Sequence, residues 1–148
     1  MSPTSSATAH RPAPAARTGA AGLLRTVLRI DAWSAAAFGV FLLAGGKPLS
    51  APLGLPTTWS VPSGVAMLGA AAAVALVAGY PRIPKGPAAA VVVVNGLSCV
   101  AMLLLAFSGP LPLTAFGSVF LAFGAVVVAV FASLECVGLR RYLGAAGT

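Results

Sequence analysis

Four apolar runs, each about twenty residues long, dominate this sequence and dictate the solvent it folds in. They lie at about 28–46 (LRIDAWSAAAFGVFLLAGG), 62–80 (PSGVAMLGAAAAVALVAGY), 88–107 (AAAVVVVNGLSCVAMLLLAF) and 114–138 (TAFGSVFLAFGAVVVAVFASLECVG). A helix needs roughly 20 residues to cross a hydrocarbon core about 30 Å thick, and each run is near that length. None carries the wide polar face of a helix lying on a soluble core. Only 7% of the 148 residues are charged, against about 25% in soluble domains. Too few polar side chains exist to wet a globular surface, so lipid must solvate most of the chain. Lipid cannot satisfy backbone N–H and C=O groups, which makes helices the required form. The expected fold is all-α, a transmembrane four-helix bundle.

The connections agree with that division. Between the first two runs, KPLSAPLGLPTTWSV holds Pro48, Pro52 and Pro56, and proline at that density predicts a loop rather than a continuous helix. Pro62 suits a first helical turn. PRIPKGP and SGPLPL join the later runs. Residues 1–22 are rich in Ala, Ser, Pro and Arg, with no acid. They lack the apolar core and cleavage site of a secretory signal and predict a disordered tail. The membrane domain is then 23–141, followed by a short tail at 142–148.

The nine Lys and Arg outnumber two acids, Asp31 and Glu135, for a net charge of +7. The bases sit at the ends of apolar runs, not on a basic patch with polar and aromatic neighbours, which argues against nucleic acid as a partner. All but Lys47 fall in the N-terminal segment, the second connection or the C-terminal end. The positive-inside rule therefore predicts a multi-pass protein of the bacterial inner (cytoplasmic) membrane with both termini cytoplasmic, N-in and C-in. Trp59 would anchor the outer interface, and Trp33, Tyr80 and Tyr142 the inner one. Asp31-Ala-Trp-Ser34 is echoed by Asn95-Gly-Leu-Ser98, Gly45 by Gly109, and Pro48-Leu-Ser-Ala51 by Pro112-Leu-Thr-Ala115. Two tandem helix hairpins would explain the echo, and so would coincidence in a low-complexity sequence.

Polar groups within a membrane are costly, so they mark candidate sites. Asp31 would lie just inside helix 1 and Glu135 in the last turn of helix 4, both near the cytoplasmic surface. Asn95 is near the middle of helix 3. Gly117 and Gly124 share a helical face with Glu135, and Ala35 and Gly39 follow Asp31 by one and two turns; small residues mark close helix contact. One reading is a cytoplasm-facing polar pocket of Asp31, Ser34, Asn95, Ser98 and Glu135, with Asp31 and Glu135 as candidate catalytic or proton-exchanging groups. The alternative is ion pairing of the acids with Arg29, Arg140 or Arg141 at the membrane surface, with Asn95 making one interhelical hydrogen bond.

Other chemistry is thinly represented. The lone histidine, His10, is in the tail, which excludes paired-histidine haem ligation and leaves the membrane serines without a triad base. Cys99 and Cys136 form no CxxC, and no zinc spacing or phosphate loop is present. No cofactor and no metal are expected. Phe116, Phe120, Phe123 and Phe131 form a lipid-facing or packing stripe.

Leu28-Arg29-Ile30-Asp31-Ala32, Leu53-Gly54-Leu55-Pro56 and Phe131-Ala132-Ser133-Leu134-Glu135-Cys136-Val137-Gly138-Leu139-Arg140-Arg141 resemble small actinobacterial integral membrane proteins of unknown function, over roughly residues 23–141. That resemblance implies four helices and no assigned activity. Phe38-Gly39 and Gly45-Gly46-Lys47-Pro48-Leu49, with Leu28-Arg29 and Leu53–Pro56, also resemble DoxX-like four-helix membrane proteins. Asp31 and Asn95 lie outside that pattern.

So few convergent reactive groups favour a non-catalytic accessory or structural membrane component over an enzyme. Its partners would be the bilayer and either a second copy or another membrane protein. The alternative is a small membrane enzyme or proton-coupled carrier that acts on a lipophilic substrate through Asp31 and Glu135.

Overall fold

The computed structural model describes residues 14–146, which form four helices: α1 Pro14–Leu53, α2 Thr57–Gly79, α3 Lys85–Phe107 and α4 Ala115–Ala146. All four are long and apolar enough to cross a membrane, and the protein is a transmembrane four-helix bundle. Successive helices run antiparallel, so the start of α1 and the end of α4 share one end of the bundle. The large apolar side chains left exposed, among them Val65, Leu76, Leu97, Leu104, Val119 and Val126, cover its outer surface, where lipid tails replace water as neighbours.

The helices pair as two hairpins, α1 with α2 and α3 with α4, joined along an α1–α4 seam, whereas α2 and α3 barely touch. Glycines bring α1 and α2 close together. A Cβ added to Gly39 would stand 3.0 Å from the Gly64 carbonyl oxygen, and one added to Gly64 would stand 3.0 Å from the Gly39 carbonyl oxygen. Backbone therefore meets backbone between α1 and α2, as small residues allow in membranes. Asp31–Ser34 and Asn95–Ser98 of the sequence echo are both helical, whereas its proline members differ. Pro48–Ala51 is helical, but Pro112–Thr114 is a loop.

Several boundaries differ from those the sequence predicts. α1 runs through Pro48 and Pro52 to Leu53, where a loop was expected. Pro48 and Pro52 remove only the bonds to the carbonyls four residues earlier, those of Ala44 and Pro48, and the rest of this helix end is held by other donors. The Ser50 hydroxyl donates to the Lys47 carbonyl at 2.8 Å. The carbonyls of Pro52 and Leu53 accept from the hydroxyl (2.6 Å) and the N–H (3.1 Å) of Thr114, on the other hairpin. Thr114 also caps α4 by accepting from the Gly117 N–H at 3.0 Å. α2 starts at Thr57, so Pro62 lies beyond its first turn.

At its other end α1 begins at Pro14, so residues 14–22 are helix rather than a tail, while 1–13, with His10, lie outside the described residues. Ala- and Arg-rich sequence is good helix material, and Leu24 and Leu28 of the same helix are buried. α4 likewise extends through 142–146 with Tyr142 and Leu143 against the core; 147–148 lie outside the described residues. α1, at 40 residues, is about 60 Å long, twice the roughly 30 Å hydrocarbon thickness.

The core fills the termini end of the bundle. Leu24, Leu28 and Ala32 of α1 meet Val74, Val77 and Ala78 of α2, Ile83 of the connection, Ala88 of α3 and Leu139 of α4. Arg25 closes the same region. Its Nε donates to Ala78 O at 3.0 Å and its Nη2 to Tyr80 O at 2.7 Å and Pro81 O at 3.1 Å, taking up carbonyls that the end of α2 leaves free. Arg25→Ala is expected to cost about 1–2 kcal/mol, the lower part of the range for hydrogen bonds to a charged group because these are partly exposed. Lowered thermal stability in detergent, with α2 fraying first by hydrogen exchange, is the measurable result; an unchanged melting profile would contradict it.

Candidate functional site

Three helices each contribute one polar side chain to a single cluster. Asn95, near the middle of α3, donates through Nδ2 to Asp31 Oδ2 at 3.1 Å and to Glu135 Oε2 at 3.0 Å. Two acceptors on one side fix the amide with its NH2 toward the acids. Asp31 is 7% exposed and Glu135 fully buried. Glu135 Oε1 has no hydrogen-bond partner. Because both accept from one nitrogen, Asp31 Oδ2 and Glu135 Oε2 lie no more than about 6 Å apart. Two negative charges that close in a dry site repel strongly, and a proton on one removes the repulsion.

The acids therefore lie deeper than the sequence suggests. Asp31 was expected just inside its helix and Glu135 in a last turn, both at the membrane surface. Because α1 starts at Pro14 and α4 ends at Ala146, neither is terminal, and Asn95 holds both at its own depth. Arg29, Arg140 and Arg141 are exposed, and Arg29 faces a separate groove beside Trp33 and Leu68. The hydrogen-bond partner of both carboxyls is Asn95.

A cavity of about 470 Å³ opens from this cluster. Helical spacing builds its walls. Below Asp31 on α1 come Ser34, Ala35, Phe38 and Leu42; below Asn95 on α3 come Ser98, Met102 and Leu105. These fall at intervals of three or four residues, which keeps them on one face. From α4 the stripe above Glu135 contributes Phe131, Val128, Gly124, Phe120 and Gly117, and from α2 come Trp59, Ser63, Met67 and Val74. Phe120 stacks on Phe38 with ring centroids 5.4 Å apart. Glu135 itself does not line the cavity; Asp31 and Asn95 stand between. Ser34 and Ser98 line the wall but make none of the cluster's hydrogen bonds among the described residues.

The direction of the cavity corrects a second expectation. A pocket facing the side of the chain termini was expected, yet the cavity extends from the cluster toward the opposite end, as far as Leu53, Trp59 and Leu111. The packed core blocks the termini side. Sequence reasoning found the polar residues because they interrupt apolar runs. It missed Trp59, Ser63 and Met67, which belong to the site only because α2 faces a gap instead of α3.

Compared with known proteins, the chain matches no family model, no curated protein and no solved structure.

Proposed function

We propose that this membrane protein binds a lipophilic molecule with a small polar head, admitted sideways from the bilayer between α2 and α3, and that it acts as a carrier. The observation that carries this reading is the acid pair at the closed end of an apolar cavity. The walls would hold a hydrocarbon body, and Asp31 would accept a hydrogen bond from the head. Pockets for small molecules combine an apolar lining with a few converging polar groups in this way. A purely structural role would favour filling a void of this size, since empty apolar space costs stability. We place both termini in the cytoplasm of a bacterial cell, on the strength of the basic residues gathered at the termini end.

The test uses Trp59 as reporter, in a Trp33→Phe background where it is the sole tryptophan. Titration with 12-bromododecanol is expected to quench its fluorescence to a saturating limit. Ala70→Phe, which fills the cavity from α2, is expected to abolish the saturable component. Quenching that rises without limit, or that Ala70→Phe leaves intact, would sink the binding role and leave the accessory membrane component as the better description.

A further inference from the structure

We propose that the ligand's head is a monovalent organic cation, and that its binding displaces one proton held between Asp31 and Glu135; this rests on the cavity being a ligand site. The acids present an electrostatic imbalance. No Lys, Arg or His is among the described residues lining the cavity, and from α2 the residue nearest this end is Val74. Asn95 supplies the one NH2 that both acids share. Unpaired charge is expensive in such surroundings, and two carboxylates that share one amide nitrogen repel unless one of them holds a proton. The pair then carries one negative charge and one O–H.

An incoming cation offers an exchange that leaves this charge unchanged. Before binding, the cluster holds two carboxyls and one proton, a net charge of minus one. The cation approaches Asp31, the only acid that lines the cavity. The O–H bond between the carboxyls breaks and its proton passes to water, leaving two carboxylates and one organic cation. The net charge is again minus one. The two states bury the same net charge, and the added charges in the filled state form an opposed pair, so the exchange avoids the net-charge change that addition of a cation without loss of the proton, or loss without addition, would incur. The proton departs along the cavity past Ser98 and Ser34, because Leu24, Leu28 and Leu139 close the termini side. Phe38, Phe120 and Phe131 line the same path, and aromatic rings attract a cation where water is excluded.

Glu135 gains a reason for its position. It is fully buried, has one oxygen without a partner and lies outside the cavity. A ligand cannot touch it without displacing Asn95. It holds the proton when the site is empty and contributes charge when the site is filled.

The experiment is calorimetric titration of the detergent-solubilised protein with tetraphenylphosphonium, repeated in two buffers of different ionisation enthalpy. This cation carries no exchangeable proton, so any proton released comes from the protein. One proton released per cation bound is expected. Asp31→Asn is expected to weaken cation binding by about thirtyfold or more, as loss of a buried charge partner does, and to abolish proton release. The same variant should match the wild type in far-UV circular dichroism and in its gel-filtration profile, which verifies its fold. Glu135→Gln should keep some cation affinity with no proton released. Cation binding without proton release would overturn the exchange and leave the binding role intact. Equal affinity of Asp31→Asn for the cation would overturn the assigned head group. Failure of both probes to bind would remove the binding role itself.

Discussion

Asn95→Leu is expected to destabilise the bundle by about 3–5 kcal/mol, the range for stripping a partner from a buried charged group. An ordinary interhelical hydrogen bond in a membrane contributes only about 0.6–2 kcal/mol. The difference arises because Asn95 is the donor for two acids at once, and both remain buried when it is gone. Replacing all three members with leucine removes the polar groups together and should restore much of the loss, since apolar residues often replace buried ionic clusters without penalty. Reversible unfolding in mixed micelles would measure both variants. A single variant as stable as the triple would mean that water already reaches the acids and that the cavity is wet throughout.

Gly117→Val is expected to separate the two hairpins at their far end. A Cβ at Gly117 would fall on the carbonyl group of Leu53, and backbone cannot swing aside as a flexible side chain can. The neighbouring Gly54, at φ +66°, would place its own Cβ against the Pro112–Thr114 loop. The end of α1, the Thr114 cap and the start of α4 thus form one locked joint. Overpacking usually costs about 1–3 kcal/mol and more where backbone must move, so we place Gly117→Val near the upper end, about 3 kcal/mol. Double electron–electron resonance between labels at Ala51 and Ser118 should show a longer and broader distance distribution. An unchanged distribution would mean that α1 ends elsewhere in the membrane.

The four spans and the three polar residues were legible because charge and amide groups stand out against apolar runs. The contact among them was partly legible, since Gly117 and Gly124 place Glu135 on an inward stripe. Their depth was not. It depends on α1 beginning at Pro14 and α4 ending at Ala146, both beyond the apolar runs. The far end of α1 was hidden too, since Thr114, which binds the Pro52 carbonyl there, is more than sixty residues away in sequence. The gap between α2 and α3 was illegible for a different reason. Away from Asn95 and a few serines both helices are apolar, so no pattern tells which of their remaining faces meets protein and which meets lipid. Phe116 and Phe123, exposed, and Phe120, stacked on Phe38, illustrate the point within one stripe.

An opening between α2 and α3 faces acyl chains, not an aqueous phase. Occupancy would follow the ligand's mole fraction among the surrounding lipids, and a compound that partitions a thousandfold into membranes would need only a trace dissolved outside. Acyl tails would be standing competitors for the same space. Apparent affinities should therefore weaken in proportion as lipid is added at fixed total ligand, and values measured at different lipid-to-protein ratios become comparable only after conversion to a bilayer concentration scale.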